Sequence, residues 1–167
     1  MRNLFVYIGL FFLLACNNAD VSQLKAEQTL LKDENDSLNK EIKAMKPGLG
    51  DLMLAVQVHH NKLWFAGKEA NWPLAQFEHD EIMEIIKQAE AIETDRKEVK
   101  LFPVMIYPQL SSLQNAVEHK DTKGFEESFN ELTQACNNCH KEVHFEFNKI
   151  KIPEQPPFSN QDFSPND

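Results

Sequence analysis

The sequence predicts an all-α protein: a four-helix up-down bundle over residues 49–150, preceded by a coiled-coil helix over residues 21–46. Three observations point there. Glu, Lys, Leu, Ala and Gln dominate the middle of the chain, and all are good helix formers. Apolar residues recur there at spacings of three and four, the helical period. The links between these stretches are short and carry Pro, Asn or Asp, so consecutive helices return as antiparallel neighbours.

The first fifteen residues read as a targeting segment. Arg2 supplies a positive start, and the apolar run Leu4 to Leu14 is shorter than the ~20 residues that span a bilayer. It ends Leu13-Leu14-Ala15-Cys16, which resembles the lipobox of bacterial lipoproteins. That resemblance implies a signal peptide over 1–15, lipidation of Cys16 and a polar tether over 16–20. More than one acyl chain is needed to hold a soluble domain stably at a membrane, and a diacylated cysteine meets that need. The alternative is an ordinary secretory signal with an incidental cysteine.

Between 21 and 46, Val21, Leu24, Leu31, Leu38, Ile42 and Met45 fall on a and d heptad positions, with Gln28 and Asn35 at the remaining a positions. Polar a residues cost stability but set register and oligomer number. The segment is therefore a candidate for self-association into a homo-oligomer; the alternative is a lone amphipathic helix. Pro47-Gly48 ends it.

Four helices follow. On the first, Leu49, Leu52, Met53, Val56, Leu63, Trp64 and Gly67 share one face. Asn71 N-caps the second, with Pro73 in its first turn and Leu74, Phe77, Ile82, Ile85, Ala89 and Ile92 as its apolar face. The third starts near Pro103 to Pro108 and runs through Leu110, Leu113 and Val117. Asp121 caps the fourth, whose stripe is Phe125, Phe129, Leu132, Cys136, Cys139, Val143 and Phe147. The stretch from Thr94 to Pro103 is expected to be the longest link. Residues 151–167 are Pro-rich and without helical period, either disordered or an extended strap anchored by Phe158 and Phe163.

Cys136-Asn137-Asn138-Cys139-His140 is a C-x-x-C-H sequence, which reads as attachment of one covalent c-type haem (haem c). Two thiols three positions apart reach the two vinyl groups of one porphyrin, and the next residue turns an imidazole onto the iron. His140 is the proximal ligand in this reading. A thioredoxin-like pair belongs at a helix start after a strand, where thiol pKa falls. Zinc needs further ligands, and of these only His144 is near. A disulfide within a regular helix would be strained.

The sixth iron ligand is expected from the first helix. Taking Leu49 as zero, His60 falls about 20° round the wheel, inside the apolar face, and His59 about 280°, on its rim. A buried imidazole needs a partner, and iron is one; the alternative is a core histidine hydrogen-bonded to a carboxylate or a haem propionate. His60 is the leading candidate; His59, Met53, Met105 or an open site are the alternatives. Glu78 and Glu81 also fall within an apolar face. They are expected to flank it and reach solvent, or else to orient His60, accept a Trp indole N–H or pair with Lys62. His79, His119 and His144 read as exposed or rim residues without a role, and Trp64 and Trp72 as core and haem-packing residues.

Haem attachment near the C-terminal end of a four-helix bundle resembles the class II cytochromes c, the cytochrome c′ type. The segments His60-Asn61-Lys62-Leu63-Trp64-Phe65-Ala66-Gly67 and Asn71-Trp72-Pro73-Leu74-Ala75 are similar to a family of small exported bacterial monohaem proteins. Members of that family end in a Cys-Asn-x-Cys-His helix and a Pro-Pro-Phe-Ser-Asn-Gln-Asp-Phe tail, here Pro156 to Phe163. The likeness covers about Leu49 to Phe163. Cytochrome c′ proteins usually lack a distal protein ligand, so a histidine at 60 departs from that pattern.

The functional expectation is electron transfer by a carrier lipid-anchored to a bacterial membrane and facing the periplasm, docking a redox partner protein. The formal charge of -9, from 26 acidic and 17 basic residues, disfavours nucleic acid as a partner. The rival is a haem protein that binds or senses NO or CO; a third reading is an interaction module in which haem is structural. No acid, base and nucleophile set suggests an enzyme.

Overall fold

The computed structural model describes the backbone of residues 2–165 and the side chains of residues 20–165. The described residues are helical throughout their regular structure, with no strand. The chain divides into two units at Lys46–Pro47.

The first unit is a single helix, α1 (Arg2–Met45), which continues unbroken through the segment read as a tether. No helix among the described residues is long and apolar enough to cross a membrane. The side chain of Cys16 and those of the signal segment lie outside the described residues.

The second unit holds α2 (Leu49–Lys68), α3 (Trp72–Ile92), the single-turn helices α4 (Lys97–Lys100) and α5 (Phe102–Met105), α6 (Tyr107–Glu118) and α7 (Thr122–Glu142). Helix α2 packs along α3 and α6 along α7, while α7 also meets α2 and α6 meets α3. Start signals behave as their chemistry requires. The Gly48 N–H donates to Asp51 Oδ2 at 3.1 Å, and Asn71 Oδ1 accepts from the Leu74 N–H at 3.2 Å. Proline occupies the first turn of α3, α5 and α6, where its missing N–H costs nothing. Asp121 stands at the N-cap of α7 but makes no side-chain cap bond.

Among the described residues, three helices close on a non-glycine residue in the left-handed conformation. Ala70, Lys120 and His144 take φ of 56°, 54° and 64°. After each, the next residue's N–H reaches back across the last turn: Asn71 to the Ala66 carbonyl, Asp121 to Ala116, and Phe145 to His140. This left-handed closing motif normally selects Gly.

Several expectations about faces and boundaries change. The Thr94–Pro103 link contains α4, because Val99 and Phe102 are apolar and bury at 4% and 3% exposure. The last helix ends at Glu142, so Phe147 leaves the stripe and is 80% exposed. On α3 the buried face is centred on Ala75, Ile82, Ile86 and Ala89, which leaves Phe77 exposed. His79 is buried, not on the rim, and its Nε2 donates to the Leu110 carbonyl at 3.0 Å. The tail carries no regular structure but is strapped down. Phe163 is buried against Phe65, and Asn71 Nδ2 donates to the Ser164 carbonyl at 2.8 Å. Phe158 is about half exposed.

Candidate functional site

Helix α7 presents Leu132, Cys136 and Cys139 on one side, since positions three and four apart stack on a helix face. Opposite them stand Met53, Val56 and His60 of α2 and Ile82 and Ile86 of α3. Between these walls lies a cavity of about 570 Å³, also lined by His140, Phe102 and Ile150. The volume falls within the range of about 300–1,000 Å³ typical of cofactor sites. Cys136, Cys139, His140 and His60, the residues singled out from sequence, thus share one cavity. Met53 lines it; Met105 and His59 do not.

The donor set is specific. His140 Nδ1–H donates to the carbonyl of Asn148 at 2.6 Å, so the lone pair is on Nε2. A metal-ligating histidine is commonly oriented in this way by a carbonyl on its other nitrogen. Asn137, inside the C-x-x-C-H run, reaches the same loop. Its Nδ2 donates to the Ile150 carbonyl and its Oδ1 accepts from the Ile150 N–H, each at 2.8 Å. Both thiols are free. Burial raises the pKa of each, with the neighbouring Cys139 adding to the effect at Cys136, and Glu98 and Glu142 at Cys139. A redox-active pair shows the opposite shift. The cysteines also lie near the C-terminal end of α7, where the helix dipole disfavours a thiolate.

His60 is 4% exposed and its Nε2–H donates to Thr133 Oγ1 at 2.8 Å; Thr133 in turn donates to the Phe129 carbonyl at 2.9 Å. Burial drops the His60 pKa to about 4, so the ring is neutral at physiological pH. As placed, its unbonded nitrogen is Nδ1. Phe129 packs against the same ring at 4.3 Å between centroids.

Glu78 and Glu81 of α3 differ in their surroundings. Glu81 reaches solvent as expected, with its side chain 35% exposed. Glu78 does not: its side chain is 0% exposed and lies between His59 Nδ1 at 2.6 Å and Lys62 Nζ at 2.5 Å. A buried carboxylate persists only when paired, and two partners one turn apart on α2 provide that. Trp64 and Trp72 pack on Phe125, and Trp64 also on Phe129. They are core residues away from the cavity.

Sequence reasoning missed Thr133, Asn148 and Arg96. Arg96 lines the cavity with its side chain 52% exposed, with Nη1 3.9 Å from Glu98 Oε1. The available signal for Thr133 was a small hydroxyl residue at the edge of an apolar stripe, four positions after Phe129. Among the described residues, no group of three or more His, Cys, Asp or Glu side chains is clustered to hold a metal ion by itself.

The cavity, the free thiols and the oriented imidazole suit a c-type haem: Cys136 and Cys139 would hold it, His140 Nε2 would ligate it, and Arg96 would meet a carboxylate at the mouth. Comparison of the chain with models of known protein families, with curated proteins and with solved structures finds no match.

Proposed function

We propose that this chain is a monohaem c-type cytochrome that transfers electrons, tethered to a bacterial membrane through Cys16 and facing the periplasm, and is not an enzyme. In this reading residues 49–150 form a cytochrome c′-like four-helix up-down bundle, and 21–46 a coiled-coil helix behind the signal segment 1–15 and tether 16–20. The supporting observation is that Cys136, Cys139, His140 and His60 line one apolar cavity, with His140 already oriented by the Asn148 carbonyl.

The bound group would supply a one-electron iron couple, tuned by axial ligand and burial. The chain's own residues do the rest. Cys136 and Cys139 fix the group permanently. The carbonyl of Asn148 holds the His140 tautomer. Leu132, Ile82, Ile86 and Phe102 exclude water, which lowers the local dielectric. His60 is the distal candidate, and it becomes a ligand through Nε2 only by giving up the Thr133 bond. The acidic surface favours a basic docking face on a partner protein.

The bond from His60 to Thr133 also favours a second reading, a cytochrome c′-type protein that binds NO or CO. If Nε2 keeps its bond to Thr133 and the Nδ1 lone pair does not reach the bound group, the side facing α2 would be open to a small ligand.

Production in a host with cytochrome c maturation, followed by mass measurement of the denatured protein and absorption spectra of both oxidation states, tests the proposal. Retention of one tetrapyrrole through denaturation, with a low-spin reduced spectrum that CO perturbs only slowly, is expected. Loss of the group on denaturation sinks the haem assignment; rapid, complete CO binding moves the protein to the second reading.

A further inference from the structure

Helix α1 carries an unpartnered apolar stripe. Each of Val21, Leu24, Leu31, Leu38, Ile42 and Met45 is 48–75% exposed in the single chain. The helix runs without a break to Met45, so the heptad register is continuous in three dimensions. The flanking positions carry the information that the stripe lacks. The g positions are Asp20, Glu27, Glu34 and Glu41, all acidic; the e positions are Lys25, Lys32, Asn39 and Lys46. Among the described residues, none of these charges has an ion-pair partner within its own chain.

We propose that residues 20–46 bind the same residues of a second copy of this chain, as a parallel, in-register, two-stranded coiled coil. In a parallel pair each g residue faces the e residue five positions further along the other helix. Asp20 then meets Lys25 of the second copy, Glu27 meets Lys32, Glu34 meets Asn39, and Glu41 meets Lys46. No like-charged pair forms. An antiparallel pair places g against g and e against e, which sets carboxylates against carboxylates and lysines against lysines along the seam.

Register and number follow from the seam. In register, Asn35 lies beside Asn35 of the second copy. Its Oδ1 accepts from Asn39 Nδ2 within the helix at 2.6 Å, which leaves its own amide donors for the other strand. A slip of one heptad would put that amide against Gln28 or Ile42. A buried a-position Asn is a register device, and β-branched Val21 and Ile42 at a with Leu at d favour two strands. The flanking ion pairs add little stability individually, but they separate the two orientations. The inference rests on the coiled-coil reading of 21–46 and is independent of the haem assignment, whose failure would show in the spectrum and not in the oligomer mass.

The test uses the full haem-loaded chain in density-matched detergent. Sedimentation equilibrium is expected to give the mass of two chains. The pair Glu27→Lys with Glu41→Lys weakens the dimer by at least about 10-fold. Adding Lys32→Glu and Lys46→Glu restores it, which excludes simple loss of helix. Separately, Leu24→Cys oxidises to a disulfide with its own counterpart. A monomer, a trimer, indifference to the charge reversals, or coupling of Leu24→Cys to Ile42→Cys in preference to itself would each overturn the proposal.

Discussion

Nδ1 of His140 lies 2.6 Å from the carbonyl oxygen of Asn148, and this bond determines which ring nitrogen keeps a lone pair. The acceptor sits in the loop after α7, and Asn137 ties that loop down through both backbone groups of Ile150. Asn137→Ala is expected to cost about 1–2 kcal/mol in urea unfolding, as the net loss of two or three hydrogen bonds. Amide exchange at Ile150 should accelerate while exchange in the middle of α7 holds.

Thr133 is the acceptor for a buried, neutral imidazole. Thr133→Val keeps the shape and removes the acceptor, which leaves the His60 N–H unsatisfied at a cost of about 1–3 kcal/mol. Thr133→Ser keeps the hydroxyl and should cost less. In the haem-loaded protein, His60→Ala is expected to convert a low-spin spectrum to high-spin; an unchanged spectrum would remove His60 from the iron.

Glu78 is held between His59 and Lys62. Glu78→Leu strands the Lys62 ammonium and should destabilise by about 3–5 kcal/mol. The pair Glu78→Leu with Lys62→Met should recover most of that loss, measured as the midpoint of urea unfolding. Equal destabilisation by Glu78→Leu and by the double variant would show that the cost does not come from a stranded Lys62 ammonium.

Gly67 allows α7 to approach α2. A Cβ there would stand 2.1–2.6 Å from the ring of fully buried Phe125. Gly67→Ala should cost about 1–3 kcal/mol through overpacking. Phe125→Leu in the same background should return part of it, a coupling that a double-mutant cycle reads directly.

Tyr107 supplies an alkaline pH dependence. Burial, then the hydrogen bond its hydroxyl donates to Glu90 Oε2 at 2.6 Å and the charge of that carboxylate, raise its pKa from 10.0 to about 12. The folded value exceeds the unfolded one. The stabilisation is therefore fully present below pH 10 and is lost as pH rises from 10 towards 12. With the signal segment 1–15 removed, Tyr107 is the remaining tyrosine; its phenolate absorbance should titrate near 12, and Glu90→Gln should bring the midpoint down towards 10.

Much of the architecture was legible in the sequence because its signals are local. Spacing of three and four marked the helices, Asn71 marked the start of α3, and the placement of Cys136 and Cys139 on one stripe of α7 followed from the helical period. The helix ends were less legible. Ala70, Lys120 and His144 adopt the left-handed conformation without being glycine, so composition carries no stop signal at those sites.

The sequence by itself determined the helical class, the face that carries both thiols with His140 next to them, and the charged heptads of α1. Only the tertiary structure decided that Glu78 is buried, that His79 reaches Leu110 and that His60 is bonded to Thr133. His59 lies 19 residues from Glu78, and Thr133 lies 73 residues from His60. Periodicity reports which side of one helix is apolar. Which polar group meets another depends on how two helices are set against each other, and that is fixed by packing of the side chains between them.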